Sequence, residues 1–129
     1  MHELRPSSEE YLKWIYKLQK KIGNVRSIDL AVYMGYSRAS VCIAVKKLQN
    51  EGYLIKGEDG ILHLTDKGLE IGKKFFHLHQ FLTDMLIEMG VDPEIALNDA
   101  CQLEHVLSDI SCQKLAEYFN NKKKNNSKE

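Results

Sequence analysis

The sequence predicts a mainly α chain with one small β-hairpin, on three observations. Apolar residues recur at helical spacing from Tyr11 to Leu48 and again from Leu69 to Leu107. Between these stretches, Tyr53-Leu54-Ile55 and Ile61-Leu62-His63-Leu64 read as short strands. The Gly57-Glu58-Asp59-Gly60 segment is turn chemistry and joins them into a hairpin. Helix, helix–turn–helix, hairpin and further helices, in that order, make a winged helix-turn-helix followed by an all-helical domain.

Each element has its own punctuation. Ser7 or Ser8 reads as a cap for the first helix, and Ser7 with Glu10 matches a capping box. Tyr11, Ile15, Leu18 and Ile22 carry that helix to about Gly23. Ser27 is the expected cap of a short second helix through Leu30, Ala31 and Met34. Gly35-Tyr36-Ser37 is a tight turn into a third helix, which buries Val41, Ala44, Val45 and Leu48 and stops at Gly52. After the hairpin, Thr65 caps a long helix to Gly90, and Asp92-Pro93 opens the next. A last helix begins near Ser111 and ends at Tyr118-Phe119. The expected domains are 1–64 for the winged helix, 65–119 for the helical domain and 120–129 for a disordered basic tail with no apolar residue.

Composition bounds the function classes. With 43% apolar and 28% charged residues, the 129-residue chain resembles an ordinary globular protein. It has no apolar run long enough to cross a membrane and no apolar signal core at MHELRPSSEE, so a cytoplasmic location is expected. Cys42, Cys101 and Cys112 form no CxxC pair, which fits a reducing compartment. Net charge is zero, yet its distribution is uneven. Residues 1–64 carry ten Lys/Arg against seven Asp/Glu, residues 65–119 four against ten, and residues 120–129 four against one. A basic front suits an anion and an acidic middle suits a cation.

The third helix has the chemistry of a DNA reader. A recognition helix needs a polar face to enter the major groove and an apolar face to hold it. Ser37, Arg38, Ser40, Lys46 and Lys47 face outward in this register. Arg38 and Ser40 lie where base edges are read, while Lys46, Lys47 and Arg26 suit phosphates. Ile43 has two readings, contact with a thymine methyl or plain packing, and Cys42 is equally unusual for a groove position. The rival reading of the whole segment is a trihelical interaction module with a solvated basic face.

Cys101-Gln102-Leu103-Glu104-His105 is the sharpest chemical feature. Positions i, i+3 and i+4 share one helix face, so thiolate, carboxylate and imidazole converge there. Together these donors suit a transition metal ion. His79 and Glu10 are candidates for completing the ligand set. Each residue alone also has a structural reading: Cys101 as a small buried group, Glu104 as a solvated charge, His105 as a satisfied histidine and Glu10 as a capping-box partner.

The segment Asn98-Asp99-Ala100-Cys101-Gln102-Leu103-Glu104-His105-Val106-Leu107-Ser108-Asp109 resembles the signature of the diphtheria toxin repressor family. Ser8-Glu9-Glu10-Tyr11-Leu12, Leu64-Thr65-Asp66-Lys67-Gly68, Leu78-His79-Gln80-Phe81-Leu82 and Gly90-Val91-Asp92 extend the resemblance over about residues 8–119. It implies a metal-dependent transcriptional repressor in its short form, without the SH3-like domain. It also implies a homodimer on palindromic operator DNA, with metal ligands Glu10, His79, Cys101, Glu104 and His105. Fe(II) ranks first as the cofactor and Mn(II) second, because a thiolate favours the former. Lys13 departs from the family by standing where manganese-type members carry a carboxylate, and Thr83 and Asn98 replace ancillary ligands of iron-type members. A winged-helix regulator of a non-metal effector is the alternative. A metalloenzyme with Glu104 as general base lacks any substrate-binding motif, so no enzymatic activity is expected.

Overall fold

The computed structural model describes the backbone of residues 6–127 and the side chains of 8–122. They pack into two compact units that divide between Phe76 and His77. The first holds α1 (Pro6–Ile22), α2 (Ser27–Met34), α3 (Arg38–Asn50), β1 (Leu54–Lys56), β2 (Leu62–Leu64) and the first part of α4 (Asp66–Glu88). The rest of α4, α5 (Pro93–Val106) and α6 (Asp109–Ser127) form the second.

In the first unit, the inward faces of three helices and the hairpin close one core. Leu12, Ile15 and Leu18 of α1 join Leu30 of α2, Val41, Val45 and Leu48 of α3, and Leu54 and Leu62 of the strands. β1 and β2 pair antiparallel, with Leu54 opposite Leu64 and Lys56 opposite Leu62. Because side chains alternate along a strand, Leu54 and Leu62 are buried while Ile55 and His63 stay exposed. The hairpin is anchored to the body by Leu62 N–H donating to the Val25 carbonyl at 2.7 Å and by the Gln19 amide donating to the Leu62 carbonyl at 3.3 Å.

The first unit extends past the boundary at 64 expected from sequence. Gly68 and Gly72 explain why α4 belongs partly to it. A methyl group on Gly68 would fall on the Tyr53 carbonyl, and one on Gly72 would lie 2.6 Å from the Leu12 carbonyl oxygen. These two glycines let α4 lie directly against the backbone of α1 and of the entry to β1. Phe75 is then fully buried, and Phe76 stacks at 5.5 Å on Tyr16.

The second unit is built on small contacts. Ala96 and Ala100 of α5 and Leu82 of α4 are buried, and Phe81 meets Phe119 of α6 edge-on at 6.0 Å.

Four local expectations change. α1 begins at Pro6, which suits a first helical position, so Ser8 lies inside the helix and not at its cap. The side chain of Ser7 is outside the described residues. α2 is capped at Arg26, whose N–H donates to the Asp29 carboxylate at 2.9 Å, and this pushes Ser27 into the first turn. α6 starts at Asp109, two residues before Ser111, because Ser108 supplies the capping hydroxyl, accepting from Ser111 N–H at 3.2 Å. The helix runs on to Ser127, through the segment expected to be a disordered tail. No Gly or Pro interrupts it there, and Lys is a good helix former.

Substituting Gly72→Ala is expected to destabilise the protein by about 1–3 kcal/mol through overpacking against Leu12. Urea denaturation followed by circular dichroism measures this, and an unchanged midpoint would show that α4 can shift without cost.

Candidate metal centre and nucleic-acid interface

Four of the five residues expected from sequence as metal ligands lie in the second unit, joined by close contacts from Cys101 through His79 and Glu104 to His105. His79 projects from α4, and Cys101, Glu104 and His105 share one face of α5. His79 Nδ1 lies 3.0 Å from Glu104 Oε2 and 3.7 Å from Cys101 Sγ. His105 Nε2 lies 3.2 Å from Glu104 Oε1. Glu104 is 1% exposed, and each of its carboxylate oxygens lies within 3.2 Å of an imidazole nitrogen. The Thr83 hydroxyl donates at 2.8 Å to the His79 carbonyl one turn earlier, inside the protein.

This donor set fits a divalent transition ion. Two nitrogens, a carboxylate and a sulfur are donors a first-row ion accepts together.

Glu10, the fifth candidate, sits on α1 in the first unit. Its Oε1 accepts from the Trp14 indole N–H at 2.7 Å and pairs with Lys13 Nζ at 3.4 Å. Sequence reasoning did not assign Trp14 and Lys13 to Glu10. The i, i+3 and i+4 spacing of 10, 13 and 14 on one helix was the available signal.

The helix-turn-helix stands as expected. Gly35 adopts φ +71°, a left-handed conformation natural to glycine, and ends α2. Ser37 caps α3 by accepting from Ser40 N–H at 3.1 Å, and the two hydroxyls lie 2.9 Å apart. Val41, Val45 and Leu48 are buried, while Arg38, Ser40, Lys46 and Lys47 are exposed. Ile43 is 70% exposed and Cys42 is also exposed, so neither packs into the core of the first unit. Arg26 is exposed and braces the wing through Nε donating to the Asp59 carbonyl at 3.3 Å. A shallow groove beside α3 is lined by Cys42, Ile43, Lys46, Gln49 and Lys56. Lys56, at the wing, is a cation the sequence reading did not pick out.

A family model described as the iron dependent repressor N-terminal DNA binding domain matches residues 3–60. The metal binding and dimerisation domain of the same family matches residues 65–128. The chain belongs to the iron-dependent repressor family. Among family members, the HTH-type transcriptional regulator MntR of Bacillus subtilis (strain 168) is 38% identical over 117 residues, covering 88% of this chain and 82% of that protein. MntR of Lysinibacillus sphaericus (strain C3-41) is 36% identical over 112 residues, covering 87% of this chain and 81% of that protein. The solved structure of the manganese regulator SloR superposes with a TM-score of 0.80 at 27% identity, over 91% of this chain. The match covers 55% of SloR, so this chain spans about half the length of that structure. The chain is therefore a metal-dependent, DNA-binding transcriptional regulator and not an enzyme, and the alternative of a non-metal effector is not favoured. No helix of the described residues is long and apolar enough to cross a membrane.

Because the Ser37 hydroxyl closes the first turn of α3, Ser37→Ala is expected to cost about 1 kcal/mol of stability. Chemical denaturation of the purified variant reads this directly, and a loss below a few tenths of a kcal/mol would mean that Ser40 or water replaces the cap.

Proposed function

We propose that this regulator is a homodimeric cytoplasmic repressor that binds a palindromic operator when loaded with a divalent transition ion. The observation that supports the reading is the chain of close contacts from Cys101 through His79 and Glu104 to His105 in the dimerisation and metal-binding unit. Those four residues would hold the ion. The ion would supply positive charge to a buried, acidic cluster. Glu10 is proposed as a further ligand on the strength of the sequence resemblance. A ligand from α1 makes metal loading a link between the module that reads DNA and the module that dimerises. By linkage, DNA then raises metal affinity by the factor by which metal raises DNA affinity.

For the ion, Mn(II) stands level with Fe(II). The thiolate of Cys101 argues for Fe(II), whereas the likeness to the manganese regulator SloR argues for Mn(II). Dimerisation is supported by the apolar surface of the second unit, where Ile95, Val106, Ile110 and Tyr118 are all more than half exposed. At the DNA, Arg38 and Ser40 are proposed to read base edges, with Ile43 against a thymine methyl. Ser37, Lys46, Lys47 and Arg26 would set register through phosphates, with Lys56 added to them.

Fluorescence anisotropy with a palindromic operator tests the metal switch. Mn(II) or Fe(II) should raise wild-type affinity, and Glu104→Gln and His105→Ala should abolish the stimulation while leaving metal-free binding unchanged. Equal wild-type binding in chelator and in metal would sink the reading.

The DNA assignments divide by salt dependence. Lys46→Ala should weaken binding to every sequence alike and reduce the salt slope by about 0.9. Arg38→Ala should relax sequence preference at one operator position by about 1–3 kcal/mol. A Lys46→Ala variant with an unchanged slope would remove that residue from the interface.

A further inference from the structure

A groove of about 200 Å³ runs between α1 and α3, lined by Tyr11 of α1 and by Ser40, Ile43, Ala44 and Lys47 of α3. It lies beside the face of α3 on which Ser40, Ile43 and Lys47 are exposed. Tyr11 itself is only 7% exposed, and Tyr36 packs against its ring with the centroids 5.9 Å apart. Among the described residues, the Tyr11 hydroxyl has no hydrogen-bond partner. A buried donor left unpaired is uncommon in a folded protein, because it has lost water and gained nothing in return. The phenol therefore has a hydrogen to give, next to the surface offered to DNA.

The chemistry of the groove fits a deoxyribose phosphate. Lys47 is an exposed ammonium, which suits the anionic oxygens. A phenol carries its proton at neutral pH and can donate to the same group. Ile43 and Ala44 add an apolar wall, which suits the sugar of a nucleic-acid backbone and is of no use to an inorganic anion. Ser40 and Ile43 are also proposed to meet bases, so a phosphate in this groove lies next to the bases they meet. Held by Lys47 alone, that phosphate is gripped from α3 only. A donor on α1 grips it from the second helix.

We propose that Tyr11 is a DNA-contacting residue, whose hydroxyl donates to an operator backbone phosphate seated beside Lys47 in the groove between α1 and α3. This rests on the reading of α3 as the recognition helix. Tyr11 adds affinity and helps to set the position of α3 in the major groove, without choosing a base.

Fluorescence anisotropy with a palindromic operator, in the presence of Mn(II), tests this. Tyr11→Phe removes only the hydroxyl and should weaken binding about tenfold, the loss of one hydrogen bond to a charged group. The loss should be equal on matched and base-substituted operators, and the salt slope should stay as in wild type because no charge is removed. A methylphosphonate moved along the operator should find one position where its own effect shrinks in Tyr11→Phe, so that the two losses combine to less than their product. Circular dichroism establishes that the variant is folded. Wild-type affinity in folded Tyr11→Phe would overturn the proposal, as would a loss that couples to no phosphate position. Calorimetry with inorganic phosphate should show no binding. Saturable binding that Tyr11→Phe abolishes would make the groove a site for a free anion and overturn the DNA assignment. Wild-type affinity in Arg38→Ala and Lys46→Ala as well would instead overturn the reading of α3 itself.

Discussion

A single buried carboxylate organises the second unit. Glu104 is almost wholly removed from water, and an anion in that position is tolerated only with hydrogen-bonding, positively polarised neighbours. His79 reaches it from α4 and His105 from its own helix. The pairing with His79 joins α4 to α5 by a polar contact in a unit whose packed residues on α5 are alanines, with little apolar area to contribute. Cys101 completes the cluster on the same face. A group of donors gathered around one buried charge is costly to keep without a cation, and that cost makes metal a natural partner of the fold as well as of the function.

The first unit solves a different problem. A helix offered to DNA cannot be buried on its outward face, so its position must be enforced from behind. Val41, Val45 and Leu48 do this from within the helix, and the wing does it from the side through Leu62, Gln19 and Arg26. Gly72 and Gly68 bring α4 against the same body. The polar surface of α3 is then presented by a rigid support, which base readout requires.

Much of this architecture was legible in the sequence because its signals were local. The change from helical spacing to strands placed the wing, and Thr65, Asp92-Pro93 and Gly35 punctuated the helices where the structure does. That Cys101, Glu104 and His105 share a face of α5 was legible because i, i+3 and i+4 fall together on any helix. Illegible features depended on competition between neighbours. Ser27 and Ser8 were reasonable caps, but Asp29 reaching back to Arg26 and Pro6 at the head of α1 took their places. The polar end of the chain lacked the apolar pattern that marks a packed helix, yet nothing in it breaks one, and α6 continues. The pairing of Lys13 with Glu10 was hidden because a lysine one turn from a glutamate is ordinarily a surface pair.

Which ion the site prefers follows from a tension within the donor set. The Irving–Williams order places Mn(II) as the weakest binder among the first-row divalent ions, so affinity alone cannot select it. A site that responds to Mn(II) must be hard enough in its donors to hold it and must rely on geometry and on the available metal to exclude tighter rivals. In the proposed ligand set, Glu104 would provide a hard oxygen donor. Cys101 works in the opposite direction, since a thiolate gains more from Fe(II), Co(II) or Zn(II) than from Mn(II). His79 lies between Glu104 and Cys101 and makes contact with both, so the softest and hardest donors share one imidazole neighbour. The balance of the site therefore turns on one atom, the Cys101 sulfur. Exchanging it for oxygen would move the preference toward Mn(II) without disturbing the histidines or Glu104, whose positions are set by the helices that carry them.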